Sequence, residues 1–429
     1  MKTRDFRVSV HAAAIAGLFF LAASIGSVQA AEKLCGLDSG KKASGRAIVV
    51  GAVVGKTGPG DFSSAAAAAR AYFRCVNDNG GINGRPIDYR IEDDKWNPET
   101  ASQAASKLVK DQGVVALVAN GSFVEMTVNA KFYEKEDVLA MASACAVREC
   151  FEARNIASTN QGPLPSNLGA VQWAVKNLGT KAVACIGLNI PSNGGWSCDA
   201  VNTWLKDSGL RGSSVLMDPA NADFTSVVLQ AVATKPDTIL TNLPAGAAIA
   251  VLKAAQEQDL RDKFKWISPT PLYDTASPAA LGAYWNEKVY IQIEATPLDG
   301  TGVDAKRWRA VMDKYSHADD RANNRRDTFS QLGFVSAIMF VDTLLKMDPA
   351  KIDRASVTKA VRGIKNYRSD LLCAPWYFGP GDRHMPNHEG MMVQLKGDGF
   401  KVVSGCFPVQ SKYLDPIYAL EKKGGLTGK

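Results

Sequence analysis

Apolar runs of strand length alternate along this chain with stretches of helical periodicity. Residues 47–54 are a β-branched apolar run that predicts one buried strand. Gly58-Pro59-Gly60 predicts a turn, after which Asp61, Ser63 and Ser64 supply oxygens suited to capping a helix. Residues 65–76 have strong helix propensity, with Tyr72, Phe73 and Val76 able to seat one face on a sheet. Asn79-Gly80-Gly81 ends that helix, because glycine accepts the positive φ of a helix terminus, and 87–93 reads as the next strand. The three segments form a β-α-β unit with an expected right-handed crossover.

The alternation continues. Helices are expected at 97–110 and 123–136, strands at 114–119 and 138–142, and a turn at Asn120-Gly121-Ser122. A second run starts at Gly162-Pro163, with helices at 164–178, 196–206, 223–234 and 245–258. Strands at 181–188, 214–217, 238–241 and 265–268 fall between them, and 189–195 reads as a loop. Such alternation predicts an α/β fold with mostly parallel, doubly wound sheets. A chain of 429 residues is too long for one core, so two lobes are expected. Beyond them come a strand at 287–293 and helices at 305–315 and 328–347. The second helix is apolar enough (Phe334, Val335, Ile338, Met339, Phe340, Leu344, Leu345) to lie in a core. Residues 372–378 are expected to cross to lobe two, which ends with strands at 391–395 and 401–403. Lobe one is then 31–160 with 296–371, lobe two 161–295 with 372–412, and 413–429 a C-terminal tail. Ligands on such sheets bind beyond the carboxyl ends of the strands, which gathers the loops 56–64, 120–123 and 143–146 at one edge.

The N-terminus changes the setting. Lys2, Arg4 and Arg7 precede an apolar segment at 12–25, and Val28-Gln29-Ala30 forms a small-residue cleavage site, the pattern of a secretory leader cut after Ala30 or Ala31. The mature protein is expected in the periplasm, without a lipid anchor, since Cys35 lies beyond the cleavage point. Removing the leader leaves 47 basic and 42 acidic residues, a net charge of +5 spread along the chain. The densest basic cluster, 321–326, lacks interleaved aromatics, which argues against a nucleic-acid partner.

Eight cysteines follow the leader: Cys35, Cys75, Cys145, Cys150, Cys185, Cys198, Cys373 and Cys406. An even count in an exported chain predicts disulfides, each worth roughly 2–4 kcal/mol. Many connectivities are open. The expectation is neighbour pairing: 35 with 75, 145 with 150, 185 with 198, and 373 with 406, the last joining two strands.

Catalytic candidates are few. Gly51 to Thr57 ends in GKT, but three residues separate the glycines where a phosphate loop needs four. Past the leader the histidines are His317, His384 and His388. Pro386 and Asn387 argue against a helix presenting His384 and His388 on one face, so that stretch reads as a surface loop. Asp93 and Asp94 are adjacent on a strand and face opposite ways, which suits turn chemistry better than paired acid–base work. No nucleophile elbow, zinc motif or calcium loop occurs, and no metal, cofactor or catalytic residue is expected.

The opening stretch also carries a resemblance. Thr57-Gly58-Pro59, the run NDNGGINGRPI at 77–87, Asp93-Asp94 and Asn97-Pro98 resemble the start of type I periplasmic solute-binding proteins of ABC importers, and within them the branched-chain amino acid (Leu/Ile/Val) binders. The likeness extends more weakly along nearly the whole mature chain. It implies two lobes joined by three crossovers, Ala295-Thr296-Pro297 among them, that close on a ligand as a hinge. It also implies a monomer with two partners: a small-molecule ligand, and a membrane permease or membrane sensor. Ligand carboxylates in such relatives are held after the third and fourth strands, which here assigns Ser122, Phe123, Ser143 and Ala144, with Ser122 and Ser143 as hydroxyl donors.

Lobe two departs from those relatives. Thr270 stands where the amino-acid binders place an acid for the ligand ammonium, and an aromatic of the preceding loop is replaced within Asn242-Leu243-Pro244. Burying an unpaired ammonium costs roughly 2–5 kcal/mol, so the expected ligand is a carboxylate or aromatic acid without an amine. Amino-acid binding is the alternative, and a periplasmic hydrolase the rival of another class. Phe62, Ser63, Asn193, Pro244, Thr270 and Tyr273 complete the expected ligand-binding set, with Trp196 as a further aromatic wall.

Overall fold

The computed structural model describes residues 33–316 and 326–428, besides Met1. The leader, His317 and residues 321–325 of the basic cluster lie outside the described residues.

The predicted β-α-β unit is present as β1 (Ile48–Val54), α1 (Ser64–Asp78) and β2 (Ile87–Asp93). β1 and β2 pair in parallel from Ile48–Ile87 to Val54–Asp93. α2 (Pro98–Ser106) is capped by the Asn97 side chain, which accepts from Thr100 N at 2.9 Å. The next strands are shorter than the apolar runs that carry them: β3 is Leu117–Val118, and β5 is Ala140–Ala142. Two stretches expected as turn and loop pair as strands instead, β4 (Gly121–Ser122) and β6 (Ala144–Cys145). α3 (Glu125–Lys135) lies between β4 and β5, and β7 (Ile156–Ser158) was not anticipated. These strands form one parallel sheet, ordered β6-β4-β1-β3-β5-β7 with β2 also on β1.

The second run follows its prediction closely. It comprises α4 (Pro163–Leu178), β8 (Ala182–Leu188), α5 (Trp196–Asp207), β9 (Arg211–Met217), α6 (Phe224–Ala233) and β10 (Thr238–Asn242). α7 (Ala245–Glu257), β11 (Lys265–Ser268), a short α8 (Ser277–Leu281) and β12 (Val289–Ile293) continue it.

The chain then returns to α1. α9 (Val303–Tyr315) and α10 (Thr328–Leu345) pack there, with Tyr72 against Phe334 at 5.1 Å between ring centroids. Gly333 lets α10 approach: a Cβ there would lie 2.1 Å from Ala65 O. α10 is long and apolar enough to cross a membrane, but it is 83% buried inside the fold and is a core helix.

After α11 (Arg354–Arg362) the chain reaches an antiparallel hairpin, β13 (Glu389–Lys396) and β14 (Gly399–Pro408). The second sheet runs β14-β13-β12-β11-β10-β8-β9. Residues 372–378 hold no strand, and Trp376 makes an isolated bridge to Tyr367. The tail instead holds α12 (Asp415–Gly424), because Leu414 and Ile417 bury an apolar face.

All four neighbour disulfides are present: Cys35–Cys75, Cys145–Cys150, Cys185–Cys198 and Cys373–Cys406. The last joins β14 to a loop, not to a second strand.

Candidate ligand cleft between the two sheets

A cavity opens where the carboxyl ends of strands from both sheets converge. Atom-free space there amounts to about 440 Å³ including the mouth. It is a narrow slot.

One wall is aromatic. Phe62, placed ahead of α1 by its amide bond to Gly55 O at 2.9 Å, stands 5.0 Å from Phe123 and 5.7 Å from Phe329 between ring centroids. Trp96 backs this wall, stacked on Phe123 at 4.9 Å, with its Nε1 donating to Gly60 O at 2.8 Å. The facing wall is Asn193, Asn242, Leu243, Pro244 and Pro269 to Pro271, and between the walls lie Ala144 to Ala146, Asn160, Gly162, Ser166 and Glu294.

Among the described residues Glu294 is the one ionisable side chain lining this cavity, and it is 1% exposed. It follows β12 directly. Its Oε2 accepts from Gln161 N at 2.5 Å and Gly162 N at 3.2 Å. Burial pushes its carboxyl up to about 8, against the pull of these two amides and the Asn160 side chain. Gly162 is required here: its φ is +78°, and a Cβ would lie 2.2 Å from the Phe151 ring.

Every neutral polar side chain on the wall already donates within the protein. Asn160 Nδ2 bonds Cys145 O at 2.9 Å, Asn193 Nδ2 bonds Ala146 O at 2.5 Å, and Asn242 Nδ2 bonds Ser197 Oγ at 2.8 Å. Ser166 Oγ donates to Gln292 Oε1 at 2.6 Å and Thr270 Oγ1 to Gln292 O at 3.0 Å. These bonds take up at least one donor of each of the five side chains.

Of the residues expected from sequence, Phe62, Phe123, Ala144, Asn193, Pro244 and Thr270 line the cavity. Ser63, Ser122, Ser143 and Tyr273 do not. Ser63 is held by Asp61, to which its amide and hydroxyl donate at 2.8 and 2.6 Å. Ser122 is buried against the Asp94 carboxyl and accepts from Val124 N and Glu125 N at 2.9 and 3.1 Å. Ser143 bonds Ser336 Oγ at 2.8 Å, tying its strand end to α10. The Tyr273 hydroxyl accepts from Leu298 N at 3.1 Å, and its ring packs 4.6 Å from Phe400. Trp196 stacks at 6.1 Å on Phe151 in a separate surface groove.

The amides of that edge are likewise committed. Ser143 N and Ala144 N bond Asn120 O, and Cys145 N bonds Asn160 Oδ1 at 2.8 Å.

Sequence reasoning missed Glu294, Asn160, Gly162, Ser166 and Phe329. The carboxyl that lines the cavity comes from a different strand end than Thr270, directly after β12.

The other candidate groups take structural roles. The Asp93 carboxylate accepts from Lys56 N, Thr57 N and Lys95 N at 3.0, 3.2 and 3.0 Å, so the GKT loop spends its amides on a carboxylate. The surface-loop reading of His384 and His388 is overturned. Both are buried, His384 bonding Phe378 O and His388 Nε2 bonding Glu421 of α12 at 2.7 Å. Among the described residues no group of three or more His, Cys, Asp or Glu gathers as a metal site.

The periplasmic binding protein family matches residues 47–400, and the chain belongs to that family. A substrate-binding protein of an ABC transporter from Aeropyrum pernix superposes with a TM-score of 0.73 at 14% identity, covering 88% of this chain and 100% of its own. A solute-binding protein from R. palustris, solved with 4-hydroxybenzoate, gives 0.71 at 17% identity, covering 86% and 98%. A branched-chain amino acid ABC transporter protein from Thermus thermophilus with bound valine gives 0.74 at 12%, covering 88% and 100%. A comparison with curated proteins found no match.

Proposed function

We infer that this protein is the substrate-binding component of an ABC importer, capturing a small organic solute between its lobes. The reading rests on the family match over 47–400 together with a slot walled by Phe62, Phe123 and Phe329 at the strand ends. Similar folds from A. pernix, R. palustris and T. thermophilus carry ABC-transporter descriptions, which supports the same role here. Solute would favour lobe closure by the difference between its affinities for the closed and open forms. Lobe one is taken as 31–160 with 296–371, and lobe two as 161–295 with 372–412. The closed form, exported and monomeric, would dock on a membrane permease or a membrane sensor.

The aromatic wall suits a solute with a flat or branched apolar body. Two head groups are in contention: an acid without an amine, the expectation drawn from Thr270, and a cation. The lone carboxyl and the three phenyl rings favour the second.

A thermal-shift screen of the chain from Ala31 onward, against organic acids, amines and amino acids, tests the role. A true ligand at a hundredfold excess over Kd adds about 2.7 kcal/mol. A melting point indifferent to every solute class would overturn the reading.

A further inference from the structure

We propose that the cleft binds an organic cation, a protonated or quaternary amine on an apolar body, with the nitrogen set between the Glu294 carboxylate and the Phe62, Phe123 and Phe329 rings. The proposal rests on the solute-binding reading above and specifies its ligand.

The charge inventory comes first. Among the described residues the slot is lined by one acid and by no Lys, Arg or His. An adjoining depression shares Phe62, Pro244, Pro271 and Phe329 with the slot and continues it toward the surface. Within the slot the one carboxyl is the group that a cation would pair with.

Hydrogen-bond chemistry points the same way. A carboxylate needs several donors, and each polar side chain of the wall already spends one on a protein acceptor, as does Cys145 N. A cation needs acceptors and π faces. Glu294 offers its carboxyl, Asn193 and Asn242 offer carbonyl oxygens, and three phenyl rings converge on the same space. Cations are attracted to such faces, most strongly where water is excluded.

Binding would be linked to proton release. Empty and at neutral pH, Glu294 is held mainly protonated by burial, with the Gln161 and Gly162 amides and the Asn160 side chain acting in the opposite sense; no charged side chain figures among these influences. Behind it, Asn387 Nδ2 donates to Glu294 O at 2.9 Å, and of the titratable residues that follow, His388 is engaged with Glu421 and Glu389 is buried at the start of β13. A cation replaces the proton, so its affinity rises with pH from 6 toward 8. An acid that bound by sharing the Glu294 proton would show the opposite slope.

Calorimetric titration of the full mature chain with phenethylamine, and with 3-phenylpropionate as an acid of similar body, tests this. Expected are amine binding that tightens as pH rises from 6 to 8, proton release into the buffer, and at least tenfold weakening in Glu294→Gln. Gln keeps an oxygen for the two amides, and Glu125→Gln, outside the cavity, serves as the control. Binding of the acid or of amino acids in place of the amine, or amine binding indifferent to Glu294→Gln, overturns the cation while leaving the solute-binding role. Silence from every solute class removes both.

Discussion

Glu125 and Glu294 are both fully buried carboxyls, and burial pushes both up to about 8. Their surroundings differ. Glu125 begins α3 beneath the first sheet, its Oε1 bonded to Asn120 Nδ2 at 3.3 Å and to the Tyr133 hydroxyl, while Oε2 is sealed away from any partner. Glu294 closes one end of a slot with phenyl rings and acceptor oxygens around it. A raised proton affinity therefore marks burial alone. Access to a cavity whose other groups complement one kind of ligand is what separates a binding carboxyl from a structural one.

Several substitutions would break or sharpen that contrast. Glu125→Ala leaves the Tyr133 hydroxyl and the Asn120 amide unbonded inside a new void, and should cost about 2–4 kcal/mol in urea unfolding. Solute affinity should stay within about twofold, as for a group remote from the slot; a large affinity loss would put Glu125 in the binding machinery. Ser122→Ala, which removes the oxygen accepting from Val124 N and Glu125 N, should cost about 1–2 kcal/mol by the same assay. It too should spare affinity, although sequence placed this hydroxyl on the ligand.

Smaller effects lie in pH. The folded state raises both carboxyls above their ordinary 4.5, so the protonated forms favour folding. That contribution is complete below about pH 4.5 and is lost as pH rises toward 8. Glu125→Gln and Glu294→Gln should each match the wild type near pH 4.5 and melt a few degrees higher at pH 8.5, on the order of 1 kcal/mol. A saturating amine should erase the gain at Glu294 and leave the gain at Glu125.

Long apolar runs made much of this fold legible. β1, α1, β8 and α10 each carry seven or more residues of one periodicity, and their residue types alone predict element and burial. The short strands β4 and β6 were hidden because Gly121-Ser122 and Ala144-Cys145 carry turn-like or neutral chemistry, and only pairing with β1 and with each other makes them strands. The site was half legible. Phe62 and Phe123 announce themselves as aromatics beside turns. Glu294 ends an apolar strand and reads as its boundary; its partners Gln161 and Gly162 lie more than 130 positions earlier, so no local pattern joins them. The direction of Ser122 and Ser143 was not legible, because a strand-end hydroxyl can face a cleft or turn inward to Asp94 or Ser336, a choice made by packing partners remote in the chain.

The Cys145–Cys150 bridge gives this wall a history. Cys145 lines the slot, and its strand β6 is only two residues long. A covalent clasp five residues in span is formed by an oxidant met after synthesis. The slot's final shape thus waits on an oxidation that follows synthesis. Material prepared where thiols stay reduced carries this wall unclasped and is a different object from the bridged protein.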